Sequence, residues 1–536
     1  MKLKLFLAIS IIFISCKNEK QALPSDDTSA ISVKQVDYKV LDSKYIDVDE
    51  LWKPFEKYWG DFTEEDYNRL KPLIIEQDIP TLQIRISKRK LSYEELTLFY
   101  LYRIKKFDRL NERSLNSVIA LNPNVVEEAK QKDIDLKNKM KKHPIFGMPI
   151  LLKDNINAAG MPTTAGAIAL ANNNTEDAFI VKQLKSNGAL ILGKTNLSEW
   201  AYFFCGQCPS GYSAIGGQTL NPYGRKIMDT GGSSAGSGVA SAANFAVATV
   251  GSETAGSILS PASQNSVVGF KPSVGFLSRT GIVPISSTLD TPGPITKNVV
   301  DNAILLDAMK GYDKEDALSF NTDDFFLFNA DFTTNKLERV GVFKSLLEDS
   351  LYVNAIELIK QNGATIIEIE EVDVALNGFL TLLNIDMRND LPSYLKNQAD
   401  ATLGLESVQD VINFNKKDSV LTMPYGQSLF YGIVNDATSD DDFKQIKDSL
   451  HIKGKHFFDV HFDAHNLDVI LSINNYHAAE AAVAIYPAIT VPMGYDTDGK
   501  PEGLTFFSKK SEKLLLEYAY GYEQVSKQRI VPESYN

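Results

Sequence analysis

The sequence predicts one large α/β domain. Short apolar runs bounded by glycine or proline alternate with segments whose apolar residues recur at helical spacing, and this alternation is typical of α/β architecture. The chain has 536 residues and 44% hydrophobic content, which is enough for a substantial buried core. No proline-rich linker and no internal repeat divides it. We therefore expect a single domain from about residue 45 to residue 536.

The predicted elements lie in both halves of the chain. Tyr93 to Lys106 and Asn116 to Lys130 have helical spacing, and we expect these helices to cover a face of the sheet. Lys513 to Gln524 is a further predicted helix. Strands are predicted at Ile145–Leu152, Ala189–Leu192, Ala246–Val250, Val267–Phe270, Arg339–Phe343, Thr365–Ile369, Val469–Ile473, Ala488–Pro492 and Gly503–Phe507.

Residues 1–16 have the pattern of a bacterial lipoprotein signal peptide. Two lysines precede an apolar run, Leu5 to Ile14, which is too short to span a bilayer and ends just before Cys16. Cleavage there would leave Cys16 as a lipidated first residue, held in the cell envelope by its acyl chains. An ordinary secretory signal is the alternative. The polar stretch 17–44 is predicted to be a tether.

The charge of the chain bears on its partners. The formal net charge is −13, and no cluster of lysine and arginine stands out. Binding to nucleic acid depends on such clusters, because phosphates are neutralised by basic side chains. We therefore expect no nucleic-acid partner.

The stretch Gly231 to Ser257, GGSSAGSGVASAANFAVATVGSETAGS, contains two turns rich in glycine and serine. A helix of small residues is predicted between them. Each turn offers hydroxyls beside backbone N–H groups, which are what acyl transfer needs for a nucleophile and an oxyanion hole. Lys153, upstream in LLKDN, is the candidate base. The pattern indicates a serine hydrolase of amides that uses lysine as its base.

A different nucleophile is also compatible with this stretch. Gly232 to Gly236 matches the G-x-S-x-G elbow of α/β-hydrolases, which would make Ser234 the nucleophile. That elbow follows directly on a strand, whereas Thr219 to Thr230 is predicted to be a loop. Histidines do occur late enough in the chain to complete such a triad, so chain order alone does not exclude it.

Seven sequence blocks occur in order along the chain: FGMPILLKDN, GALILGKTNLSEW, GGSSAGS, ETAGSILSPAS, VVGFKPSVG, DTPGPITK and YPAITVPMG. Together they resemble the amidase signature family, most closely its peptide amidases and their bacterial relatives. The resemblance is dense over about residues 116–307, with its motif core at about 145–307. It implies a single amidase-signature domain with a mixed central sheet covered by helices on both faces.

The resemblance also implies roles for particular residues. Ser257 matches the nucleophile, Ser233 the bridging serine after a cis peptide bond, and Lys153 the base. The backbone N–H groups of Thr254, Ala255, Gly256 and Ser257 match the oxyanion hole. Burial lowers the pKa of a lysine, so Lys153 can take the proton that Ser257 releases through Ser233. Asp154 and Asn155 are expected to hold the lysine loop.

Departures from the family pattern bear on the substrate. Leu259 stands where many relatives have an arginine two residues after the nucleophile, and that arginine can bind a substrate carboxylate. A small amide derived from a dicarboxylic acid is therefore not expected. We expect a peptide C-terminal amide or another acyl amide, with pocket walls from Asn377 to Tyr431.

Two alternatives from other classes remain open. The same signature occurs in the amidotransferase subunit that acts on glutamyl-tRNA, which the lipoprotein signal and acidic charge oppose. The chain could also be an anchored binding protein that has lost activity, which the intact Lys153, Ser233 and Ser257 oppose.

Cysteine and histidine residues bear on disulfide and metal binding. Cys205 and Cys208 form a C-x-x-C motif in a loop that the family resemblance places near the pocket mouth. Export favours a disulfide there, with unpaired thiols as the alternative. His456, His461 and His465 fit a surface helix better than a metal site. We expect no metal and no cofactor, and oligomeric state stays open.

Overall fold

The computed structural model describes residues 35–109, 111–136, 142–322, 337–509 and 511–536. Residues 36–536 form one compact unit. The predicted signal peptide, Cys16 and residues 17–34 of the predicted tether lie outside the described residues. In the described part, no helix is both long and apolar enough to cross a membrane.

The compact unit is built on an eleven-stranded mixed sheet flanked by helices, which confirms the predicted fold class. Numbered in chain order, the strands are β1 Val118–Leu121, β2 Pro149–Lys153, β3 Leu190–Thr195, β4 Tyr212–Ser213, β5 Gly217–Gln218, β6 Ala248–Glu253, β7 Val268–Lys271, β8 Thr291–Thr296, β9 Arg339–Phe343, β10 Thr365–Ile369, β11 Val469–Ile473, β12 Ala488–Tyr495 and β13 Pro501–Phe507. The short β4 and β5 form a separate hairpin, and the large sheet has the order β1-β3-β2-β6-β8-β7-β12-β13-β11-β9-β10.

The α-helices that flank the sheet and fill the connections are numbered in chain order. They are α1 Val48–Trp52, α2 Glu64–Ile74, α3 Ile79–Ser87, α4 Tyr93–Phe107, α5 Val125–Asp135, α6 Phe179–Ser186, α7 Ala235–Ala242, α8 Leu259–Gln264, α9 Val299–Met309, α10 Ser350–Gln361, α11 Phe379–Asn397, α12 Val408–Asn415, α13 Ser419–Thr422, α14 Ser428–Asn435, α15 Asp440–His465, α16 Ala478–Ala484 and α17 Glu512–Ser526.

Sheet pairing places the motif-bearing strands side by side. β2 lies between β3 and β6 and runs parallel to both, so the ends of β2 and β6 point the same way. β8 then pairs antiparallel with β6 over Thr249 to Glu253. Loops that follow parallel strands meet at one edge of a sheet, where sites in α/β proteins form. The lysine loop and the ETAGS turn therefore meet there.

The predicted strands are all present, with ends shifted by a few residues where loops enter them. The predicted helix over Asn116 to Lys130 is wrong in its first half. Val118–Leu121 instead forms β1, which pairs antiparallel with β3 at the sheet edge. Its short run of mostly buried apolar residues is compatible with either a helix or a strand, and pairing with β3 decides in favour of a strand. The helix begins only at Val125.

The amino-terminal helices are fixed by their caps and buried faces. The Ser92 hydroxyl accepts a hydrogen bond from the Glu95 N–H, and the Glu95 carboxylate accepts one from the Ser92 N–H, which forms a capping box at the start of α4. Phe99, Tyr100 and Leu101 of α4 are fully buried. This helix therefore belongs to the core, in agreement with the predicted helix at Tyr93 to Lys106.

The folded unit begins before the predicted boundary at residue 45. The Val36 N–H donates to the Lys226 carbonyl at 2.7 Å, and the Gln218 N–H donates to the Leu41 carbonyl at 2.8 Å. Asp42 forms a β-bridge with Gly217. Residues 36–44 are thus part of the domain surface, because their backbone groups pair with the domain. The predicted tether boundary at residue 44 is therefore wrong.

Candidate active site

Lys153 is the last residue of β2 and is fully buried. Its Nζ lies 2.8 Å from Ser233 Oγ, 3.0 Å from the Ser252 carbonyl oxygen and 2.9 Å from Ser252 Oγ. The two contacts to Ser252 hold two of the nitrogen's tetrahedral positions. The remaining contact is with the hydroxyl of Ser233, so the structure brings Lys153 and Ser233 together.

Burial changes the charge state of this lysine. Removal from water disfavours the ammonium form and lowers the pKa of Lys153 to about 7, against the opposing effect of the Asp290 and Glu253 carboxylates. Near neutral pH a large fraction of the side chain is therefore an uncharged amine. Only that form has the lone pair that accepts a proton.

Ser233 lies in the turn before α7 and follows a cis peptide bond, Gly232–Ser233. Its side chain is fully buried, and its carbonyl accepts a hydrogen bond of 3.0 Å from the Ser198 N–H. Gly236 of α7 approaches neighbouring backbone closely: a Cβ there would lie 2.4 Å from the Asn196 carbonyl oxygen. A glycine is required at this position because any side chain would collide with that backbone, and α7, which begins just after Ser233, could not pack so closely.

Ser257 lies in the turn between β6 and α8 and is half-buried. Its hydroxyl makes no hydrogen bond to another described residue. Three hydrogen bonds fix the turn. The Ser234 N–H donates to the Ser257 carbonyl at 3.2 Å, and Glu253 Oε2 accepts from the N–H groups of Ile258 and Leu259 at 2.7 and 3.0 Å. The turn thus leaves the Ser257 hydroxyl free.

The same turn contains four consecutive backbone N–H groups, those of residues 254–257. The amides of residues 254–257 donate no hydrogen bond to any residue that the structure describes. Gly256 has φ +88°, a left-handed conformation that favours glycine. The Thr254 hydroxyl donates to Asp290 Oδ1 at 2.6 Å, which anchors the start of the turn. An array of unpaired amides is what an oxyanion requires.

Ser234, the nucleophile of the elbow interpretation, is placed differently. It is fully buried, its hydroxyl donates to the Ser252 carbonyl at 3.0 Å, and the same oxygen accepts from the Ser252 N–H at 3.2 Å. The preceding residues Thr219 to Thr230 contain no strand, as predicted. Both observations oppose the elbow interpretation. The Ser234 hydroxyl is occupied by two hydrogen bonds that join the start of α7 to β6, and no strand leads into the turn.

Sequence analysis did not single out Ser252, although it contacts Lys153 twice. Its hydroxyl also accepts a hydrogen bond of 2.8 Å from Asn155 Nδ2. The signal that could have found it is its position five residues before Ser257, within β6, whose neighbour β2 carries the lysine. Asn155 therefore contacts the lysine indirectly, through the Ser252 hydroxyl. This is how Asn155 can perform the role expected from the sequence, that of holding the lysine loop.

Asp154 holds the lysine loop through a buried ion pair. Its Oδ1 lies 2.8 Å from Lys194 Nζ, and both side chains are buried. The Thr164 N–H donates to Asp154 Oδ2 at 3.1 Å. Because the charge is paired and hydrogen-bonded, the loop after β2 has a fixed path.

Two cavities adjoin these residues. A small one of ≈10 Å³ is lined by Asn155, Ser252, Thr254 and Asp290 among others, and a larger one of ≈230 Å³ shares Asp290 with it. Asp390, Ser393, Tyr394 and Gln398 of the segment expected to supply pocket walls line the larger cavity.

The predicted cysteines and histidines are not among the residues that line these two cavities. Cys205 and Cys208 are joined by a disulfide, and Ala201 in the preceding segment lines the small cavity. His456, His461 and His465 are on α15. Over the ranges that the structure describes, no group of three or more His, Cys, Asp or Glu side chains is arranged to hold a metal ion.

Fold and site together define an enzyme that hydrolyses amides, and comparison with known proteins gives the family. The Amidase family model matches residues 95–473, and the chain belongs to this family. The chain is 35% identical over 482 residues to a probable amidase of Arabidopsis thaliana, covering 86% of this chain and 92% of the relative.

Two solved structures are similar to this chain over most of their length. An amidase family protein from Bacillus anthracis has a TM-score of 0.86 and 36% identity, covering 93% of this chain and 100% of that one. The native peptide amidase from Stenotrophomonas maltophilia has a TM-score of 0.81 and 37% identity, covering 86% and 99%.

Proposed function

We propose that the protein hydrolyses a carboxylic amide, either a peptide C-terminal amide or another acyl amide, through an acyl-enzyme on Ser257. The observation that carries the proposal is Lys153: a buried amine whose pKa is lowered to about 7 and whose nitrogen lies 2.8 Å from Ser233 Oγ. Similarity to the peptide amidase supports the substrate class.

Acylation begins with proton transfer along the serine pair. Neutral Lys153 accepts the proton of the Ser233 hydroxyl, Ser233 accepts that of Ser257, and the Ser257 oxygen attacks the amide carbon. The proton returns by the same route to the departing nitrogen, which leaves as ammonia or an amine. Water then repeats the sequence on the ester and releases the acid.

The turn after β6 stabilises the negative charge that develops on the carbonyl oxygen of the substrate. The N–H groups of residues 254–257 have no partner among the described residues and are available as donors. One such donor contributes roughly 3 kcal/mol to transition-state stabilisation. Oxyanion binding by Thr254, Ala255, Gly256 and Ser257 follows from this proposal.

The location is part of the proposal. The lipoprotein-type signal at residues 1–16 supports export and lipidation at Cys16. The enzyme would then act from an envelope membrane, with residues 17–35 as the tether. Amides outside the cytoplasm are its substrates.

Activity on a panel of amides tests the proposal. Detergent-solubilised full-length protein is assayed on a dipeptide amide, an aryl anilide and a fatty amide, with ammonia or amine release as the readout. We expect release from at least one of them and none with Ser257→Ala. Equal release by Ser257→Ala, or none by wild type on the whole panel, would refute the proposal.

A further inference from the structure

Asn475 lies against the nucleophile turn. A Cβ built on Gly256 would be 3.2 Å from Asn475 Nδ2 and 3.6 Å from the Ala478 Cβ. The Asn475 carboxamide is therefore beside the residue that precedes Ser257. It lies in the loop between β11 and α16, a part of the chain in which sequence analysis found no site.

This loop is held rigidly. The Asn474 N–H donates to the Gly503 carbonyl at 2.8 Å, and Asn474 Oδ1 accepts from the Gly503 N–H at 2.8 Å. Asn474 and His477 both have positive φ, at 53° and 62°. Backbone conformations of this kind in residues other than glycine persist where surrounding structure enforces them, and they cluster at functional sites.

The carboxamide of Asn475 is available to a ligand. It makes no hydrogen bond to any other described residue, and the side chain is half-buried with its polar atoms in contact with solvent. Its neighbour Asn474 instead pairs with Gly503 of β13 through its backbone N–H and its Oδ1. Asn474 thus holds the loop in place, while the side-chain amide of Asn475 stays available for hydrogen bonding beside the nucleophile turn.

An apolar cluster lies behind this side of the turn. Leu259, at the start of α8, is fully buried in a cluster that includes Ala478 and Ala481 of α16. Because these side chains are buried, the group that the loop presents beside Gly256 is the carboxamide of Asn475. This group is neutral and has both hydrogen-bond donors and an acceptor.

We infer that Asn475 is a specificity-determining residue that binds the acyl part of the substrate. Its carboxamide, which has one donor and one acceptor side, makes hydrogen bonds to a peptide group next to the scissile amide. The preferred substrates are then amides of N-acylated amino acids, over amides of simple carboxylic acids. This inference rests on the proposed amidase function.

Two amides that differ only in this peptide group test the inference. N-acetyl-phenylalaninamide has it, and 3-phenylpropanamide lacks it. We expect Asn475→Ala to lower kcat/KM for the first about tenfold, the contribution of a hydrogen bond, and to change the second by less than about twofold. Tyr476→Phe, on the exposed side of the same loop, is the matched control and leaves both unchanged.

Binding gives a second readout that does not require turnover. In Ser257→Ala protein, calorimetry should show N-acetyl-phenylalaninamide binding about tenfold more weakly when Asn475→Ala is added, with 3-phenylpropanamide unaffected. Equal losses for both amides, or no loss for either, would overturn the inference. If wild type hydrolyses neither amide, the panel assay described above decides the proposed function, while the binding comparison still decides the role of Asn475.

Discussion

Replacing Ser252 with alanine tests how the proposed base is held. The hydroxyl accepts hydrogen bonds from Lys153 Nζ at 2.9 Å and from Asn155 Nδ2 at 2.8 Å. An ammonium donates more strongly to this oxygen than an amine does, so the hydroxyl favours charged Lys153. Removing it lowers the pKa of Lys153 further below about 7.

The size of the change can be worked from these contacts. A hydrogen bond from a charged donor contributes about 1.5–3 kcal/mol and one from a neutral donor about 1 kcal/mol, and a difference of 1.36 kcal/mol is one pKa unit. We therefore expect the acidic limb of kcat/KM against pH to move about one unit toward acid. The loss of positioning should also lower kcat at the plateau about tenfold, because Asn155 and Lys153 both lose an acceptor.

The assay is ammonia release between pH 4 and 9, restricted to the pH values at which the variant stays folded. Ser237→Ala is the matched control: its hydroxyl is also buried and donates to the Val250 carbonyl at 3.1 Å, yet it does not contact Lys153. We expect that variant to lose a similar amount of stability with its acidic limb in place. A limb that stays, or moves to higher pH, in Ser252→Ala would refute the reasoning.

Further predictions concern the nucleophile, its turn, the histidines and the anchor. Ser257→Ala should fold, lose turnover and lose labelling by a fluorophosphonate; labelling that persists there but vanishes in Ser234→Ala would restore the elbow interpretation. Gly256→Ala should lower kcat at least tenfold, since φ +88° is strained for alanine and its Cβ meets Asn475; unchanged kcat would contradict this. His143→Ala and His477→Ala should keep activity, and loss in either variant would argue for a histidine base. Cys16→Ser should move the protein from the membrane to the soluble fraction and abolish incorporation of an alkyne fatty acid; a variant that stays membrane-bound would refute the anchor.

The sequence predicted the fold class and most strands because their apolar runs are bounded by glycine and proline. β1 was missed because four apolar residues fit either a helix or an edge strand until the partner β3 is known. The start of the domain was placed too late, because residues 36–44 are polar and are held by backbone pairing that composition does not show.

Residues that pack around the candidate site were harder to predict than the motif serines. Lys153 and Ser233 lie together as their motifs indicate, but Ser252 faces the lysine only because β6 runs beside β2. Asn475 is 218 positions after Ser257 in a segment without a recognisable pattern. Such long-range contacts depend on the sheet order and on how α8 packs, neither of which local sequence contains.

The dependence of kcat/KM on pH tests the central claim, that a buried neutral lysine is the base. With the pKa of Lys153 lowered to about 7, activity should be low in acid, rise through neutrality and reach a plateau in alkali. Lys153→Ala, checked for its fold, should lose this activity at every pH. A wild-type profile flat from pH 5 to 9, or a Lys153→Ala variant that keeps the same activity and profile, would contradict the account.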